Sequence, residues 1–146
     1  MSHAITPLDS AIFKPESSVF VSANAGAGKT SLLVNRVLSL LLHRNPPSKI
    51  LCLTFTNAAA AEMTNRVQKE LGKWLMGDDA TLEKSLYTLL GYSPNAELKA
   101  YARSLFASVL ESPEGIRIQT IHAFCQSLLR RFPVEAGINP HFTVID

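Results

Sequence analysis

The residues best suited to chemistry lie in one glycine-bearing segment near the start of the chain. Residues 23–30 read Ala-Asn-Ala-Gly-Ala-Gly-Lys-Thr. An apolar run precedes them and a helix-like run follows, which is the strand, loop and helix context of a phosphate-binding loop. Gly26 and Gly28 allow the backbone to curl so that its N–H groups point inward at an anion. An ordinary glycine-rich turn between a strand and a helix is the plainer alternative.

The side chains of this segment have separate roles in the nucleotide site. Lys29 would reach the β- and γ-phosphates, which makes it the candidate catalytic residue, and the Thr30 hydroxyl would ligate Mg²⁺. Ala23 stands where the strict pattern has glycine, and a small residue still fits there. The predicted phosphate-binding residues are Ala23, Asn24, Ala25, Gly26, Ala27, Gly28, Lys29, Thr30 and Ser31.

Composition is that of a globular protein. Of the 146 residues, 47% are hydrophobic and 18% are charged. The net charge of +2 is far smaller than that of a strongly basic nucleic-acid-binding protein. Cys52 and Cys125 lie far apart in apolar settings, which predicts two buried, reduced thiols rather than a disulfide or a metal site. We find no secretory signal and no apolar run of membrane-spanning length, so we expect a cytoplasmic protein without a membrane partner.

Hydrophobic periodicity predicts strands that alternate with helices. The predicted strands are residues 19–23, 50–55 and 116–119, with a fourth beginning in 141–146. The predicted helices are residues 31–43, from 56 or 57 to 76, 81–90, 96–110, and from 120 or 122 to about 132. We expect Leu33, Val37, Leu40 and Leu41 to form the core stripe of the first helix.

This order of elements predicts an α/β fold, a parallel sheet with flanking helices and a helical insertion. Residues 1–17 read as a loosely ordered lead-in. Residues 18–146 form the predicted domain, and residues 78–112 the insertion.

Polar and aromatic residues follow two of the predicted strands at the point where each strand ends. Phe55, Thr56 and Asn57 follow the second strand, and Thr120 and His122 follow the third. Because ligands bind at the carboxyl ends of parallel strands, we expect these residues at the same edge as the phosphate loop. Hydroxyl and amide groups at a helix start suit a nucleic-acid phosphate, and Phe55 offers a face to a base. Plain strand–helix junctions with capping residues explain the pattern equally.

Three segments, in this order, resemble those of UvrD-like superfamily 1 DNA helicases. Residues 23–30 resemble helicase motif I, residues 54–63 resemble motif Ia, and residues 118–131 resemble motif Ib. A closer similarity, to the AddA-type subunit of bacterial double-strand-break repair helicase–nucleases, is carried by residues 21–26, 51–56, 118–125 and 129–133. The resemblance covers residues 18–146, essentially the whole chain.

The resemblance implies a RecA-like P-loop NTPase fold that binds ATP and Mg²⁺. It implies that Phe55, Thr56, Asn57, Thr120 and His122 contact single-stranded DNA, and that ATP-driven closure of two such domains moves the strand. Double-stranded DNA and an AddB-type subunit are further expected partners. Two positions depart from the family pattern: Ala58 stands where many relatives carry lysine, and no glutamine precedes Gln68 to read adenine.

We expect the chain to be an N-terminal piece of such a protein. The Walker B acids, the arginine fingers, the second motor domain and the nuclease domain would lie beyond Asp146, which is the only candidate for a strand-end catalytic acid here and a poor one. The piece would bind nucleotide without unwinding DNA. A small P-loop kinase or phosphotransferase is one alternative, but it needs a lid with arginines and the middle helices offer only Arg103. A folded fragment that is inert without the missing domains is the other.

Overall fold

Five α-helices and two strands are found in a computed structural model that describes residues 13–22, 24, 28–112, 115–139 and 142. A 3-10 turn, Pro47–Lys49, joins the first helix to the first strand. The described residues are α/β in class, as predicted. The elements are α1 (Lys29–Leu42), β1 (Leu51–Thr54), α2 (Asn57–Met76), α3 (Asp79–Leu90), α4 (Ala96–Glu111), β2 (Arg117–Thr120) and α5 (Ile121–Arg131).

The two strands pair in parallel, with Leu51 opposite Arg117 and Thr54 opposite Thr120. A parallel pair needs a crossover connection, and here α2, α3 and α4 provide it. Cys52 packs against the core on one face of the sheet, whereas Leu51 and Leu53 on the other face are 38% and 44% exposed. Strand β1 is therefore covered on only one of its two faces.

The predicted first strand is not formed by residues 19–22, and residue 23 lies outside the described part of the chain. Phe20 in this segment is 93% exposed. A strand exists only through hydrogen bonds to a neighbouring strand, and the sheet of the described residues consists of β1 and β2 alone. Phe142 is not in a strand either, and the other residues of the predicted fourth strand lie outside the described part.

The predicted helices are confirmed to within a few residues. Four of them begin with a side chain that accepts a hydrogen bond from the backbone N–H three residues on, which satisfies one of the unpaired donors of the first turn. These capping residues are Thr56 on α2, Asp78 on α3, Asn95 on α4 and Thr120 on α5. Hydrogen bonds from the Thr81 side chain and from its backbone N–H hold the pKa of the Asp78 carboxyl below its ordinary value.

The core lies between α1, α2, α3 and α4. Its centre includes Leu41, Leu71 and Leu86, all fully buried, and Trp74, whose indole Nε1 donates to Ser85 Oγ at 2.9 Å. Helices α3 and α4, which fall in the predicted insertion, share this core with α1 and α2. The predicted bounds of the domain stay a prediction.

The face that α1 buries is rotated from the predicted stripe. Val34, Val37, Leu38, Leu41 and Leu42 are buried, whereas Leu33 is 54% exposed, so its assignment to the core is wrong. The other three helices of the core determine which face turns inward, and that choice is not visible in the sequence of α1 alone.

Two arginines fix neighbouring segments of the chain through hydrogen bonds to backbone carbonyls. The guanidinium of Arg36 on α1 donates to the carbonyls of Lys14, Pro15 and Ser17, which attaches residues 14–17 of the lead-in to the helix. Arg103 on α4 holds the end of α2 in the same way.

No helix within the described ranges is long and apolar enough to cross a membrane.

The two cysteines differ in their surroundings. Cys52 is partly buried on β1, and burial raises the pKa of its thiol to about 11. Cys125 is exposed on α5, so the prediction of two buried thiols is wrong for this residue. Both are free thiols, as predicted.

Candidate functional site

The start of α1 has the features that the phosphate-loop prediction requires. Gly28 is the N-cap residue, with φ 80° and ψ 14°, a left-handed conformation that favours glycine. The next residue, Lys29, begins the helix, and its ammonium donates to the carbonyl oxygen of Asn24 at 2.9 Å. The lysine therefore lies beside a backbone carbonyl five positions earlier in the chain, at the N-terminal end of α1.

No side chain caps this helix, in contrast to the other four α-helices of the described residues. Its first turn also contains no acidic residue. The unpaired N–H groups and the positive end of the helix dipole are thus left without an anionic side chain of that turn, while Lys29 adds a cation. This combination suits a bound phosphate.

The predicted phosphate-binding residues are only partly covered by the structure. Ala23, Ala25, Gly26 and Ala27 lie outside its described part. Asn24, Gly28, Lys29 and Ser31 are exposed, and Thr30 is half-buried. Within the residues described, no group of three or more His, Cys, Asp or Glu side chains could hold a metal ion. Mg²⁺ bound through nucleotide phosphates, water and one hydroxyl such as that of Thr30 needs no such group.

The residues predicted to contact DNA come together at one edge of the sheet. Because Thr54 lies opposite Thr120, the two strands end side by side. Helix α5 begins directly after β2, and α2 begins two residues after β1. Phe55 is 84% exposed, and Asn57 and His122 are also exposed.

The two threonines of this group have a second role. The Thr56 hydroxyl accepts from the N–H of Ala59 at 3.1 Å, and the Thr120 hydroxyl accepts from the N–H of Ala123 at 3.1 Å. Thr56 is exposed, but Thr120 is buried with 8% exposure. Both therefore fix the start of a helix, and Thr56 also presents its surface to solvent.

Comparison with known protein families gives the same assignment as the motifs. The model of the UvrD/REP helicase N-terminal domain matches residues 6–146. The chain belongs to the UvrD/REP family. Its relatives include proteins named as a subunit of an ATP-dependent helicase/nuclease, and these names agree with the AddA-type resemblance of the sequence.

Three of these UvrD/REP relatives show the extent of the similarity. The protein of Anoxybacillus flavithermus is 34% identical over 139 residues, which cover 93% of this chain and 10% of the relative. That of Desulforamulus reducens is 35% identical over 139 residues, covering 93% and 9%. That of Streptococcus equi subsp. zooepidemicus is 31% identical over 135 residues, covering 92% and 10%. The chain thus spans about a tenth of the length of these relatives.

Sequence reasoning missed one residue of this UvrD/REP domain that contacts the first turn of α1. Arg66 on α2 donates from Nη2 to Glu62 Oε1 at 2.5 Å and from Nη1 to Ser31 Oγ at 3.3 Å. The spacing of four residues between Glu62 and Arg66 indicates an ion pair on one helix face. The contact with Ser31 joins residues 35 positions apart, so only the fold reveals it.

Proposed function

We propose that this chain is the ATP-binding N-terminal part of an ATP-dependent DNA helicase of the helicase–nuclease type, which acts in double-strand-break repair and recombination. The observation that carries the proposal is the uncapped start of α1. There Gly28 and Lys29 stand at the end of a segment that resembles helicase motif I. The family match over residues 6–146 supports the RecA-like P-loop fold that this motif requires.

The nucleotide would bind at the N-terminus of α1. Its phosphates would accept hydrogen bonds from the backbone N–H groups of the loop and of the first turn. Lys29 would exchange the Asn24 carbonyl for the β- and γ-phosphates, and the Thr30 hydroxyl would ligate Mg²⁺. Mg²⁺ held there by Thr30 would supply positive charge against the charge that develops during phosphoryl transfer.

Single-stranded DNA would bind at the edge where β1 and β2 end. Phe55 would stack on a base, because its ring is almost fully accessible. Asn57, the Thr56 hydroxyl and His122 would contact backbone phosphates at the N-termini of α2 and α5. Thr120 would position the first turn of α5 for these contacts.

The rest of the proposal concerns the longer protein. Its second motor domain and nuclease domain, together with an AddB-type subunit, would complete the machine, and work on DNA would place it in the cytoplasm. Residues 18–146 would contribute the first part of the first motor domain, with residues 78–112 as an insertion in it. The printed names of the relatives, which combine helicase and nuclease, support this assignment.

Binding of a single-stranded oligonucleotide to Phe55→Ala and His122→Ala tests the DNA interface. Phe55→Ala should weaken binding by about tenfold, since stacking on one aromatic side chain contributes roughly 1–3 kcal/mol per base. His122→Ala should weaken it less and reduce its salt dependence, because a phosphate contact is lost.

Tyr87→Ala is the matched control, since this aromatic ring on α3 is 49% exposed but lies on another element. Fluorescence anisotropy at two salt concentrations is the measurement. Equal affinities for the parent chain, Phe55→Ala and Tyr87→Ala would contradict the DNA interface. Loss of Mg²⁺-ATP binding in Lys29→Ala tests the nucleotide site separately.

A further inference from the structure

The two sites of the proposed function are joined by a short chain of polar contacts through Arg66. Its guanidinium holds Glu62 through one nitrogen at 2.5 Å and Ser31 Oγ through the other at 3.3 Å. Ser31 is the third residue of α1 and follows Thr30 directly. Arg66 therefore connects α2 to the turn that would hold the phosphates.

The proposed DNA site lies at the start of the helix that contains Arg66, α2. It begins at Asn57, immediately after Thr56 and Phe55, and Arg66 lies within the same continuous helix. The helix is anchored by Met63, Val67 and Leu71, all of which are buried in the core. The proposed DNA contacts at the start of α2 and Arg66 therefore lie on one rigid helix.

The ion pair by itself does not explain this arrangement. The Arg66 and Glu62 side chains are 46% and 54% exposed, and pairs of such exposure contribute little stability. What distinguishes Arg66 is the fork of its guanidinium, which contacts two helices at once.

A second pair on α2 provides the comparison. Lys73 and Glu70 are 2.6 Å apart, with side chains that are 57% and 33% exposed. This pair lies within α2 and involves the same kinds of charge. No hydrogen bond of Lys73 to α1 is found in the described part of the chain.

We propose that Arg66 is a positioning residue that couples nucleotide binding at the start of α1 to DNA binding at the start of α2. This inference rests on the proposed function of the two sites. The bridge from Glu62 through Arg66 to Ser31 orders the first turn of α1 against α2. The bridge makes the residual motion of the two helix starts common to both, so the ligand that binds first restricts this motion and the second binds more tightly. By linkage the two ligands must enhance each other's affinity by the same factor.

Titration of Mg²⁺-ATP into the 146-residue chain, with and without a single-stranded oligonucleotide, measures this factor. For the parent chain we expect DNA to tighten nucleotide binding by about threefold or more. A factor of about threefold is a weak coupling between two sites. Arg66→Ala should bring the factor close to one, and the Lys73→Ala control should leave it unchanged. Arg66→Lys keeps the charge but not the fork, so it should also lose most of the coupling.

Two results would overturn the inference while the proposed function stands. One is a parent chain that binds both ligands with no mutual enhancement. The other is an enhancement that Arg66→Ala or Arg66→Lys retains in full.

A parent chain that binds no nucleotide would instead contradict the proposed function. In that case the positioning role of Arg66 is tested on the ligand-free chain. Amide hydrogen exchange of residues 32–34, whose N–H groups form the first hydrogen bonds of α1, reports the order of its first turn. Arg66→Ala should speed this exchange by about threefold or more relative to Lys73→Ala, as expected for a lost local restraint. Equal exchange in the two variants would overturn the positioning role.

Discussion

At the scale of single residues, the two thiols should differ sharply in reactivity. The thiolate is the reactive form, and burial raises the pKa of Cys52 to about 11, whereas Cys125 is exposed on α5. At pH 8 a water-soluble thiol reagent should label Cys125 first and Cys52 at least about tenfold more slowly. The slow rate should rise as the pH approaches 11, because the Cys52 thiolate then becomes populated.

Mass spectrometry of the labelled chain, with Cys125→Ser as the control, measures both rates. In the control only the slow reaction should remain. Fast labelling of Cys125→Ser at pH 8 would contradict the burial of Cys52.

Local sequence specifies some residue environments and not others. Spacing alone predicts Lys29 as the phosphate-loop lysine, and in the structure Lys29 begins α1 directly after Gly28. The expectation for Cys125 is wrong because apolar neighbours in sequence do not show that a helix is covered, and no residue of α5 is buried. Arg66 escapes sequence reasoning because its contact with Ser31 depends on how α1 and α2 pack.

At the scale of elements, Arg103 fixes the connection between α2 and α3. Its guanidinium donates to the carbonyls of Trp74, Leu75 and Gly77 at 2.9–3.1 Å and to Asp79 Oδ1 at 2.7 Å. These carbonyls lie at the end of α2, where backbone acceptors lack partners within the helix. The role of this arginine in the structure is therefore to cap a helix, and it supports no phosphotransferase lid.

Arg103→Ala should lower the free energy of unfolding by about 2 kcal/mol, since hydrogen bonds to a charged group are lost and carbonyls are left without a partner. Arg103→Lys should recover only part of this, because one ammonium cannot replace the planar fork. Urea unfolding followed by circular dichroism gives both values. A change below about 0.5 kcal/mol for Arg103→Ala would show that solvent replaces these contacts fully.

The helices are predictable from the sequence and one strand is not, for a physical reason. Each helix has an apolar face, and four of the five described α-helices also have a capping side chain such as Asn95 or Thr120. A strand depends on a partner that the local sequence does not specify. The predictions for residues 50–55 and 116–119 are nearly correct, and β1 and β2 do pair with each other. Residues 19–22 have a similar apolar character but no paired neighbour among the described residues.

At the scale of the whole molecule, stability should come from the shared core of α1 to α4. Leu86 is fully buried, whereas Leu110 on α4 is 56% exposed. Leu86→Ala should lower the free energy of unfolding by about 3 kcal/mol, and Leu110→Ala by well under about 1 kcal/mol, because only the first substitution leaves a cavity.

Fluorescence of Trp74, the single tryptophan, reports the same core. Its unfolding transition should coincide with that followed by circular dichroism, as expected for one cooperative unit. Separate transitions, or similar losses for the two leucine variants, would contradict a single core shared by these helices.

The central claim is that the start of α1 is a nucleotide phosphate site. Calorimetric titration of Mg²⁺-ATP into the chain tests it most directly, with Lys29→Ala as the variant and Lys84→Ala, an exposed lysine on α3, as the matched control. We predict saturable binding that requires Mg²⁺, falls at least about tenfold in Lys29→Ala and is unchanged in Lys84→Ala. Binding that Lys29→Ala retains at the affinity of the parent chain would contradict the claim.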